Sequence, residues 1–378
     1  MDIIYLDHAA TTPVCQAAAK AAYEAMTEGF GNPSSGYPLG KASAKKRDQD
    51  RAVIAKALGC EPSELFFTSC GTEGDNWAIR AALHMNRRAG RHIVTTAIEH
   101  SAVLEPVKAL EKNEGYEVTW LKPDKTGHID PAAVADAIRP DTALVSMMLV
   151  NNELGTLLPV KAAHDAIQAK GSAALLHTDA VQGFLKVPFT PKALGADFVT
   201  ICGHKIRAPK GIGALYIRRD LISKVPPLLL GGGQENGLRP GTEATAQIAA
   251  FAAAVQAWEP DFPQRIRAVK DYAAGRLAAI DGVEVISAGD APHILAISLP
   301  LFSGQTVVEA LAGQGVCVSS GSACHRGKPS HVFAALPLPQ KVQYGAVRVS
   351  FGPDSTTGEV DRLCELVEHM CRNKTLLF

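Results

Sequence analysis

The sequence has no excess of charge of either sign, and it has no apolar run long enough for a membrane helix. Its 378 residues carry 38 Lys and Arg against 38 Asp and Glu, so the formal net charge is zero. A balanced composition gives no bulk attraction to nucleic acid or to anionic lipid. No apolar stretch approaches the roughly 20 residues that span a bilayer. We therefore expect neither a nucleic-acid partner nor a membrane partner.

The sequence also lacks CxxC pairs, internal repeats and low-complexity tracts. Its eight cysteines are irregularly spaced, so we expect most of them to be reduced, small apolar fillers in a cytosolic chain. The first residues, MDIIYLDHAATTP, include acidic residues and no basic region, which does not resemble a secretory signal. These features predict a cytoplasmic protein.

Hydrophobic residues make up 47% of the chain and charged residues 20%, which is typical of a globular protein with a sizeable core. Through the first two-thirds, short apolar runs alternate with helical stretches. The runs are nearly continuous, as in buried strands of a mainly parallel sheet. This alternation predicts an α/β fold with helices on both faces of the sheet. The seven predicted strands cover 65–69, 92–96, 117–121, 143–150, 173–177, 198–202 and 213–217, and helices are predicted at 74–86, 100–113 and 160–170.

The pattern changes after about residue 260. A long helical stretch, two strands, a helix, two further strands and a terminal helix follow, which predicts a compact α+β unit. These elements are predicted at 263–280, 283–287, 294–299, 305–313, 316–319 and 346–351. We therefore predict a large α/β domain over residues 16–260 and a smaller α+β domain over 261–378 that includes residues 1–15.

Residues that suit a phosphate follow the first predicted strand, at the sheet edge where α/β proteins bind ligands. Gly71 and Thr72 open a helix there, so free backbone N–H groups and the positive end of the helix dipole would face an anion. Thr72 as a plain helix N-cap explains the same residues equally well. Asn152 follows strand 143–150, either as a buried polar group that needs a partner or as an ordinary turn residue.

A carboxylate and a lysine follow the next two predicted strands. Asp179 would keep a pyridinium nitrogen protonated, although a helix cap explains it as well. Lys205, beside Gly and His, is placed to form a Schiff base, with Lys210 in the same loop as the competing candidate. The order of phosphate cup, amide, carboxylate and lysine favours Lys205. The sequence thus predicts an enzyme that carries pyridoxal 5'-phosphate (PLP) on Lys205.

A series of short motifs in fixed order extends this interpretation from Tyr5 to about Gly352. They are DHAATTP (7–13), GNPSS (31–35), FTSCGTEGDN (67–76), EHSAVLEP (99–106), VNNELG (150–155), TDAVQ (178–182), GHKIRAPKGIGALY (203–216), GGGQENGLRPGT (231–242), SSGSAC (319–324) and RVSFG (348–352). Together they resemble cysteine desulfurases of the NifS/IscS type, which belong to the class V aminotransferase branch of fold-type I PLP-dependent transferases.

The resemblance implies a role for individual residues. Lys205 would carry the cofactor, Asp179 would pair with the pyridine nitrogen, and His100 would stack on the ring and assist proton transfer. Asn152 and Gln182 would contact the ring substituents and the phenolic oxygen. The phosphate would be held by Gly71, Thr72, Cys202 and His204, together with Thr242 from the neighbouring subunit of a homodimer. Arg348, assisted by Asn32, would bind the substrate carboxylate, for which a bidentate guanidinium is well suited.

Cys324 would be the nucleophile that accepts sulfur. Its surroundings, SSGSACHRGKPS, are small and polar and predict a mobile loop rather than core. The nearby His325, Arg326 and Lys328 would favour its thiolate. The sequence indicates no fixed metal site, although a Cys324 thiolate would be able to bind an iron–sulfur cluster transiently.

The chain departs from the usual family pattern at several positions. Cys202 stands where the family usually has Ser, and a thiol donates a weaker hydrogen bond to phosphate than a hydroxyl does. Cys70 replaces a usual Gly, and Tyr37 and Gln234 replace usual His residues. The loop after Cys324 also differs from the best-known housekeeping forms. These differences bear on cofactor affinity and on the identity of the sulfur acceptor, while the residues of the PLP chemistry are present.

The expected function is therefore cysteine desulfuration. L-cysteine would give L-alanine and a persulfide on Cys324, which an acceptor protein would take for iron–sulfur clusters, thio-modified tRNA or thiamine-type cofactors. Alternatives are a selenocysteine lyase and another class V lyase or aminotransferase, although an aminotransferase has no use for Cys324. A sulfur-relay scaffold without catalysis is a further alternative, against which the set of Asp179, Lys205, His100 and Arg348 argues.

Overall fold

The computed structural model describes residues 3–321 and 329–374. The strands are β1 (Ile4–Tyr5), β2 (Leu65–Thr68), β3 (His92–Thr96), β4 (Glu117–Leu121), β5 (Thr142–Ser146), β6 (Leu175–Asp179), β7 (Phe198–Cys202), β8 (Gly213–Ile217), β9 (Glu284–Ser287), β10 (Ile294–Ser298), β11 (Val316–Cys317) and β12 (Ala346–Ser350). The helices are α1 (Gln16–Thr27), α2 (Pro38–Leu58), α3 (Gly71–Met85), α4 (Ser101–Glu114), α5 (Pro131–Ala137), α6 (Val160–Ala169), α7 (Pro191–Leu194), α8 (Thr245–Gln256), α9 (Phe262–Ala278), α10 (Gly304–Gly313), α11 (His331–Ala335), α12 (Gln340–Tyr344) and α13 (Thr357–Asn373).

The large sheet has seven strands in the order β2-β8-β7-β6-β5-β3-β4. Strand β8 runs antiparallel to both of its neighbours, and the other pairs are parallel. Every residue of β5, β6, β7 and β8 is buried, which explains their nearly continuous apolar sequences. The prediction of a mainly parallel, seven-stranded α/β sheet is confirmed. The carboxyl ends of β5, β6 and β7 consequently lie side by side at one edge.

Two strand boundaries differ from the predicted ones in ways that matter for the site. Strand β5 ends at Ser146, whereas the prediction ran to residue 150. The backbone N–H of Met148 donates to the buried carboxylate of Glu99, at 3.0 and 3.1 Å, so the pairing with β3 does not continue, although the N–H groups of Met147 and Leu149 still donate to carbonyls of β6. Strand β6 runs to Asp179. Asp179 is therefore the last residue of its strand rather than a residue of the following loop.

The C-terminal part forms a three-stranded antiparallel sheet in the order β12-β10-β9, as the α+β prediction required. The N-terminal segment joins it. Strand β1 pairs with β11 in parallel, Leu6 N–H donates to the Cys317 carbonyl at 2.9 Å, and Ser350 N–H donates to the Leu6 carbonyl at 2.8 Å. Leu6 shares a core with residues of β10 and β12. This packing brings residues 7–10 next to the end of the large sheet, while the domain boundaries themselves stay a prediction.

The sequence did not predict α1, α2 and α8, of which α8 packs against both α1 and α2. Over residues 3–321 and 329–374, no helix combines the length and the apolar character that crossing a bilayer would require.

Candidate active site

A cavity of about 510 Å³ lies at the carboxyl ends of the parallel strands. Its walls come from three parts of the chain: the large sheet with its adjoining loops, the N-terminal segment at residues 7, 9 and 10, and the C-terminal part at 319, 321, 331 and 348. Most of the predicted site residues line it, namely Gly71, Thr72, His100, Asn152, Asp179, Gln182, Cys202, His204, Lys205 and Arg348. Residues from distant strands thus converge on one concave site.

The part of the cavity that suits a phosphate lies at the beginning of α3. The helix starts at Gly71, with Cys70 as its N-cap residue and Thr72 inside the first turn, so the interpretation of Thr72 as the N-cap is wrong. A Cβ atom on Gly74 would lie 2.8 Å from the Thr200 side chain, so only glycine lets α3 pack this closely across β7. The 15-residue helix points its N-terminus at the cavity wall, where an anion is favoured.

Lys205 follows β7 directly, in a short 3₁₀ turn. Its Nζ atom donates to the carbonyl oxygens of Ala9 at 2.7 Å and Ala10 at 2.6 Å. Burial lowers the pKa of Lys205 to about 8, because desolvation disfavours the charged amine. Lys210 is exposed and does not line the cavity. Of the two candidate lysines, only Lys205 offers an amine inside the site.

Two buried carboxylates and a histidine meet next to Lys205. One side-chain atom from each of Asp75, His100 and Asp179 lies within 4.8 Å of the others. Burial raises the pKa of Asp75 and of Asp179 to about 7, and for Asp179 the charge of Asp75 adds to the effect. Desolvation lowers the pKa of His100, whose Nδ1 accepts from the Ala102 N–H at 3.2 Å. The neutral imidazole therefore lies beside two carboxyl groups whose pKa values burial brings near 7.

Asp179 combines a local role with its place in the cavity. Its Oδ1 accepts from the Val181 N–H at 2.9 Å, which accounts for the turn at the end of β6, and the residue still lines the cavity. No helix begins at this point of the described chain, so the interpretation of Asp179 as a helix cap is wrong.

A buried chain of polar side chains lies behind Asp75. The Nε2 atom of His177 lies 3.4 Å from Asp75 Oδ1 and 3.1 Å from Thr200 Oγ1. The Nδ1 atom lies 2.9 Å from Ser146 Oγ. Burial lowers the pKa of His177 to about 4, so this imidazole is neutral. It lies beside the Asp75 carboxylate without giving it a counter-ion, and Asp75 Oδ1 has no hydrogen-bond partner among the described residues.

Cys202 and His204 flank the part of the cavity that suits a phosphate. Cys202 is the last residue of β7 and is buried, and this burial raises the pKa of its thiol to about 12. Burial and the nearby Lys205, Lys186 and Lys210 lower the pKa of His204 to about 3. The His204 Nδ1 atom lies 3.2 Å from Thr11 Oγ1. Both side chains are therefore neutral hydrogen-bonding groups.

Arg348 projects from β12 into the opposite side of the cavity. Its Nη2 atom lies 2.7 Å from Asp7 Oδ1, and its Nη1 atom donates to the Asn152 carbonyl at 2.8 Å. The residue is 5% exposed. Asp7 thus supplies a carboxylate to a guanidinium that is suited to bind one bidentately.

Some predicted residues lie elsewhere. Asn32 and Thr242 are exposed, and neither is among the described residues that line the cavity. The Asn32 side chain accepts from the Ser34 N–H at 2.9 Å. Cys324, with His325, Arg326 and Lys328, lies outside the described residues. The roles of Asn32, Thr242 and Cys324 stay predictions.

Sequence reasoning missed four charged or titratable residues of the cavity wall: Asp7, Asp75, Glu153 and His331. Asp75 stands four residues after Gly71 on α3, so helical periodicity would have placed both on one face. We find no spacing signal for Asp7 or His331, because they reach the cavity through tertiary packing.

The fold and the cavity together define a class: an α/β enzyme with a desolvated lysine and a buried carboxylate on adjacent strand ends. Residues 4–363 match the family model for aminotransferase class-V, so the chain belongs to this family. It is 41% identical over 374 residues to cysteine desulfurase 2 of Trichormus variabilis, with 97% of this chain and 92% of that protein covered.

Two solved structures share the fold. A NifS-like protein has a TM-score of 0.91 and 32% identity, and the match covers 98% of this chain and all of that one. A structure of SspA in complex with cysteine has a TM-score of 0.81 and 31% identity, with 93% of this chain and 100% of that chain covered. These likenesses confirm the predicted fold-type I architecture.

Proposed function

We propose that this chain is a PLP-dependent cysteine desulfurase, which converts L-cysteine to L-alanine and holds the sulfur as a persulfide on Cys324. The observation that carries the proposal is the Lys205 amine, with its pKa lowered to about 8, in one cavity with Asp179. The relative named cysteine desulfurase and the structure of SspA in complex with cysteine support the substrate.

The cavity residues fit PLP in several respects. The start of α3 and the neutral His204 suit its phosphate, Lys205 suits its aldehyde, and Asp179 suits its pyridine nitrogen. The buried Oδ1 of Asn152 has no hydrogen-bond partner among the described residues, which is costly unless a ligand supplies one. When bound, PLP supplies an electron sink that stabilises negative charge at the substrate α-carbon.

Lys205 would hold the cofactor through its aldehyde, and its amine would then serve as the base for the proton on the substrate α-carbon. An amine with a pKa of about 8 has a sizeable neutral fraction near pH 7 to 8. Asp179, as an anion, would keep the pyridine nitrogen protonated. The imidazole of His100, whose pKa burial lowers, would lie against the ring and exclude water from one face.

Arg348 and Cys324 act on the substrate. The Arg348 guanidinium binds the substrate carboxylate, which takes the place of Asp7 at Nη2. The Cys324 thiolate would then form a bond to the substrate sulfur while the carbon–sulfur bond breaks and leaves its electron pair on the substrate. The β-carbon would take up the proton of the substrate thiol, and the α-carbon would regain the proton held by Lys205, which gives alanine. The resulting persulfide passes to an acceptor protein that the sequence does not identify.

A homodimer is part of the proposal, with Thr242 reaching the phosphate bound by the other subunit. Tyr23 and Met26, three residues apart on α1, are 63% and 59% exposed, so they share one face of the helix. Leu230, in the glycine-rich stretch before Thr242, is 93% exposed. Sedimentation should give twice the chain mass, and a fully active monomer would contradict this part.

The seven described cysteines are free, which supports a reducing, cytoplasmic location.

The test uses the purified protein, L-cysteine and a thiol reductant, with alanine as the measured product. Wild-type protein should be yellow and should form alanine. Lys205→Ala should lose both properties, and the matched control Lys210→Ala should keep them. Borohydride reduction followed by peptide mapping should place the pyridoxyl group on Lys205. A label on Lys210, or turnover by Lys205→Ala near the wild-type rate, would overturn the proposal.

A further inference from the structure

His293 is a fully buried histidine directly before β10, and it belongs to none of the sequence motifs discussed above. Its Nε2 atom lies 3.1 Å from Gln182 Oε1. The other end of the Gln182 amide, Nε2, donates to the Ala9 carbonyl at 2.9 Å. Lys205 Nζ donates to the same carbonyl at 2.7 Å. A short chain of contacts therefore joins His293 to the amine of the site.

The partners fix the orientation of the Gln182 amide. The Ala9 carbonyl can only accept, so the amide nitrogen of Gln182 must face it, and the amide oxygen must face His293. A ring nitrogen at 3.1 Å from an amide oxygen must donate. His293 is therefore the tautomer with its proton on Nε2. Its Nδ1 atom has no hydrogen-bond partner among the described residues, which agrees with a single N–H on the ring.

The surroundings keep His293 neutral. Burial lowers its pKa well below the usual value, and the charges that face it act in the same direction. These charges come from Lys186, Lys270, Arg348 and His8. Replacement of His293 by an apolar residue would therefore remove a hydrogen-bond donor without removing a charge.

We infer that His293 is a positioning residue that holds the N–H group of the Gln182 amide toward the cavity. The inference rests on the proposed function and on the contact with the phenolic oxygen of PLP that the family resemblance implies for Gln182. One N–H of its amide is donated to the Ala9 carbonyl, and the second would serve that contact. Without His293, the Gln182 oxygen loses its donor, so only the contact between Gln182 Nε2 and the Ala9 carbonyl still holds the amide, and its N–H groups are aimed less firmly at the ring. Gln182 is 5% exposed, so water cannot readily replace the lost donor.

The consequence is measurable on the Schiff base that PLP forms with Lys205. A donor to the phenolic oxygen stabilises negative charge there, which stabilises the form of the Schiff base that has lost its proton. Loss of an oriented donor should therefore raise the pH at which the Schiff base loses its proton. The visible absorbance of the bound cofactor reports this midpoint without any substrate.

The experiment is a pH titration of the visible absorbance of the holoenzyme. His293→Leu should move the midpoint upward by at least ~0.5 pH unit, and His293→Asn, which keeps a donor, should restore at least half of the shift. Gln182→Leu should move the midpoint in the same direction. In the Gln182→Leu background, His293→Leu should add no further shift, because the two residues act as one unit.

An unchanged midpoint in His293→Leu would overturn the inference, and so would a full additional shift in the double variant. If His293→Leu fails to fold, His293→Met also lacks a donor and faces the same criteria. A wild-type protein without a visible band that depends on Lys205 would overturn the proposed function, and this inference with it. A normal wild-type band with unshifted variants would overturn this inference alone.

Discussion

The sheet side of the cavity, with Asp75, Asp179 and Lys205, differs from the opposite side, with Asp7 and Arg348, in how charge is compensated. On the sheet side, burial moves the pKa of each of the three groups toward neutrality. On the opposite side, Arg348 and Asp7 form a direct ion pair at 2.7 Å. On the sheet side, a ligand would have to supply the partner for each buried group. On the opposite side, Arg348 already binds a carboxylate, that of Asp7, which another carboxylate can replace.

This difference indicates that the two sides of the cavity suit different ligands. Buried titratable groups that have no charged partner suit a cofactor that stays bound, because a permanently bound ligand can supply that partner. An ion pair between Arg348 and Asp7 suits a substrate that enters and leaves, because one carboxylate can replace another. Changes on the sheet side should therefore act on cofactor binding, and changes on the opposite side should act on turnover.

The largest effect should come from Cys324→Ala, which leaves both sides of the cavity intact and removes the sulfur-accepting group. Alanine formation should fall on the order of 10³-fold or more, because carbon–sulfur cleavage needs a nucleophile at the sulfur. The variant should stay yellow and carry no persulfide. Cys15→Ala is the matched control and should keep wild-type turnover. A rate near wild type in Cys324→Ala would shift the interpretation toward a selenocysteine lyase or another lyase.

A smaller effect is expected from Arg348→Lys, which changes only the opposite side. An ammonium cannot reproduce the two-pronged contact of a guanidinium. Loss of one hydrogen bond to a charged group costs about 1.5–3 kcal/mol, so KM for L-cysteine should rise about 10- to 100-fold. The cofactor absorbance should not change. Arg207→Lys, at the ion pair with Asp354, is the matched control. Loss of PLP from Arg348→Lys would contradict the proposal that changes on the opposite side act on turnover rather than on cofactor binding.

On the sheet side, Asp75→Asn should change the pH dependence of stability in the apoprotein. The pKa of Asp75 is about 7 in the fold and about 3.9 in an unfolded chain. Between these values the folded state binds more protons, so the carboxyl becomes progressively more destabilising as pH rises toward 7. Relative to wild type, Asp75→Asn should gain about 2–3 kcal/mol in unfolding free energy from pH 5 to pH 8.

Denaturant titrations at pH 5, 6, 7 and 8 measure this difference. Asp136→Asn, at an exposed carboxylate on α5, should show no such trend. If the difference between Asp75→Asn and wild type stayed constant with pH, Asp75 would not titrate in this range. Asp75 would then no longer count among the buried groups that distinguish the sheet side from the opposite side in how charge is compensated.

The two sides also differ in how far the sequence predicted them. Asp179 and Lys205 were predictable because parallel strands end at a common edge, so the order of strands brings their ends together. The ion pair of Asp7 with Arg348 was not predictable, because its partners are 341 residues apart. Strand β1, which places Asp7, has two residues, too few for a period-2 pattern to appear. The exposed Thr242 would need a second subunit to reach a site.

The smallest effect should come from Cys202→Ser, which exchanges one neutral group for another on the sheet side. Burial raises the pKa of the Cys202 thiol to about 12, so the residue acts as an uncharged, weak donor. A hydroxyl donates more strongly, and a phosphate oxygen would accept from it. In the apoprotein the same buried hydroxyl lacks that acceptor, at a cost of about 1 kcal/mol or more.

Cys202→Ser should therefore lower apoprotein stability slightly and bind PLP as tightly as wild type or a few-fold more tightly, with turnover unchanged. Cys202→Ala, which has no donor, is the matched control and should bind PLP no more tightly than wild type. PLP titration of the three apoproteins gives the Kd values, and denaturant titration gives the stabilities. Weaker PLP binding by Cys202→Ser than by Cys202→Ala would mean that the thiol makes a contact which a hydroxyl cannot replace. The sheet side would then be adapted to sulfur at this position, and the comparison with the usual serine of the family would no longer describe this site.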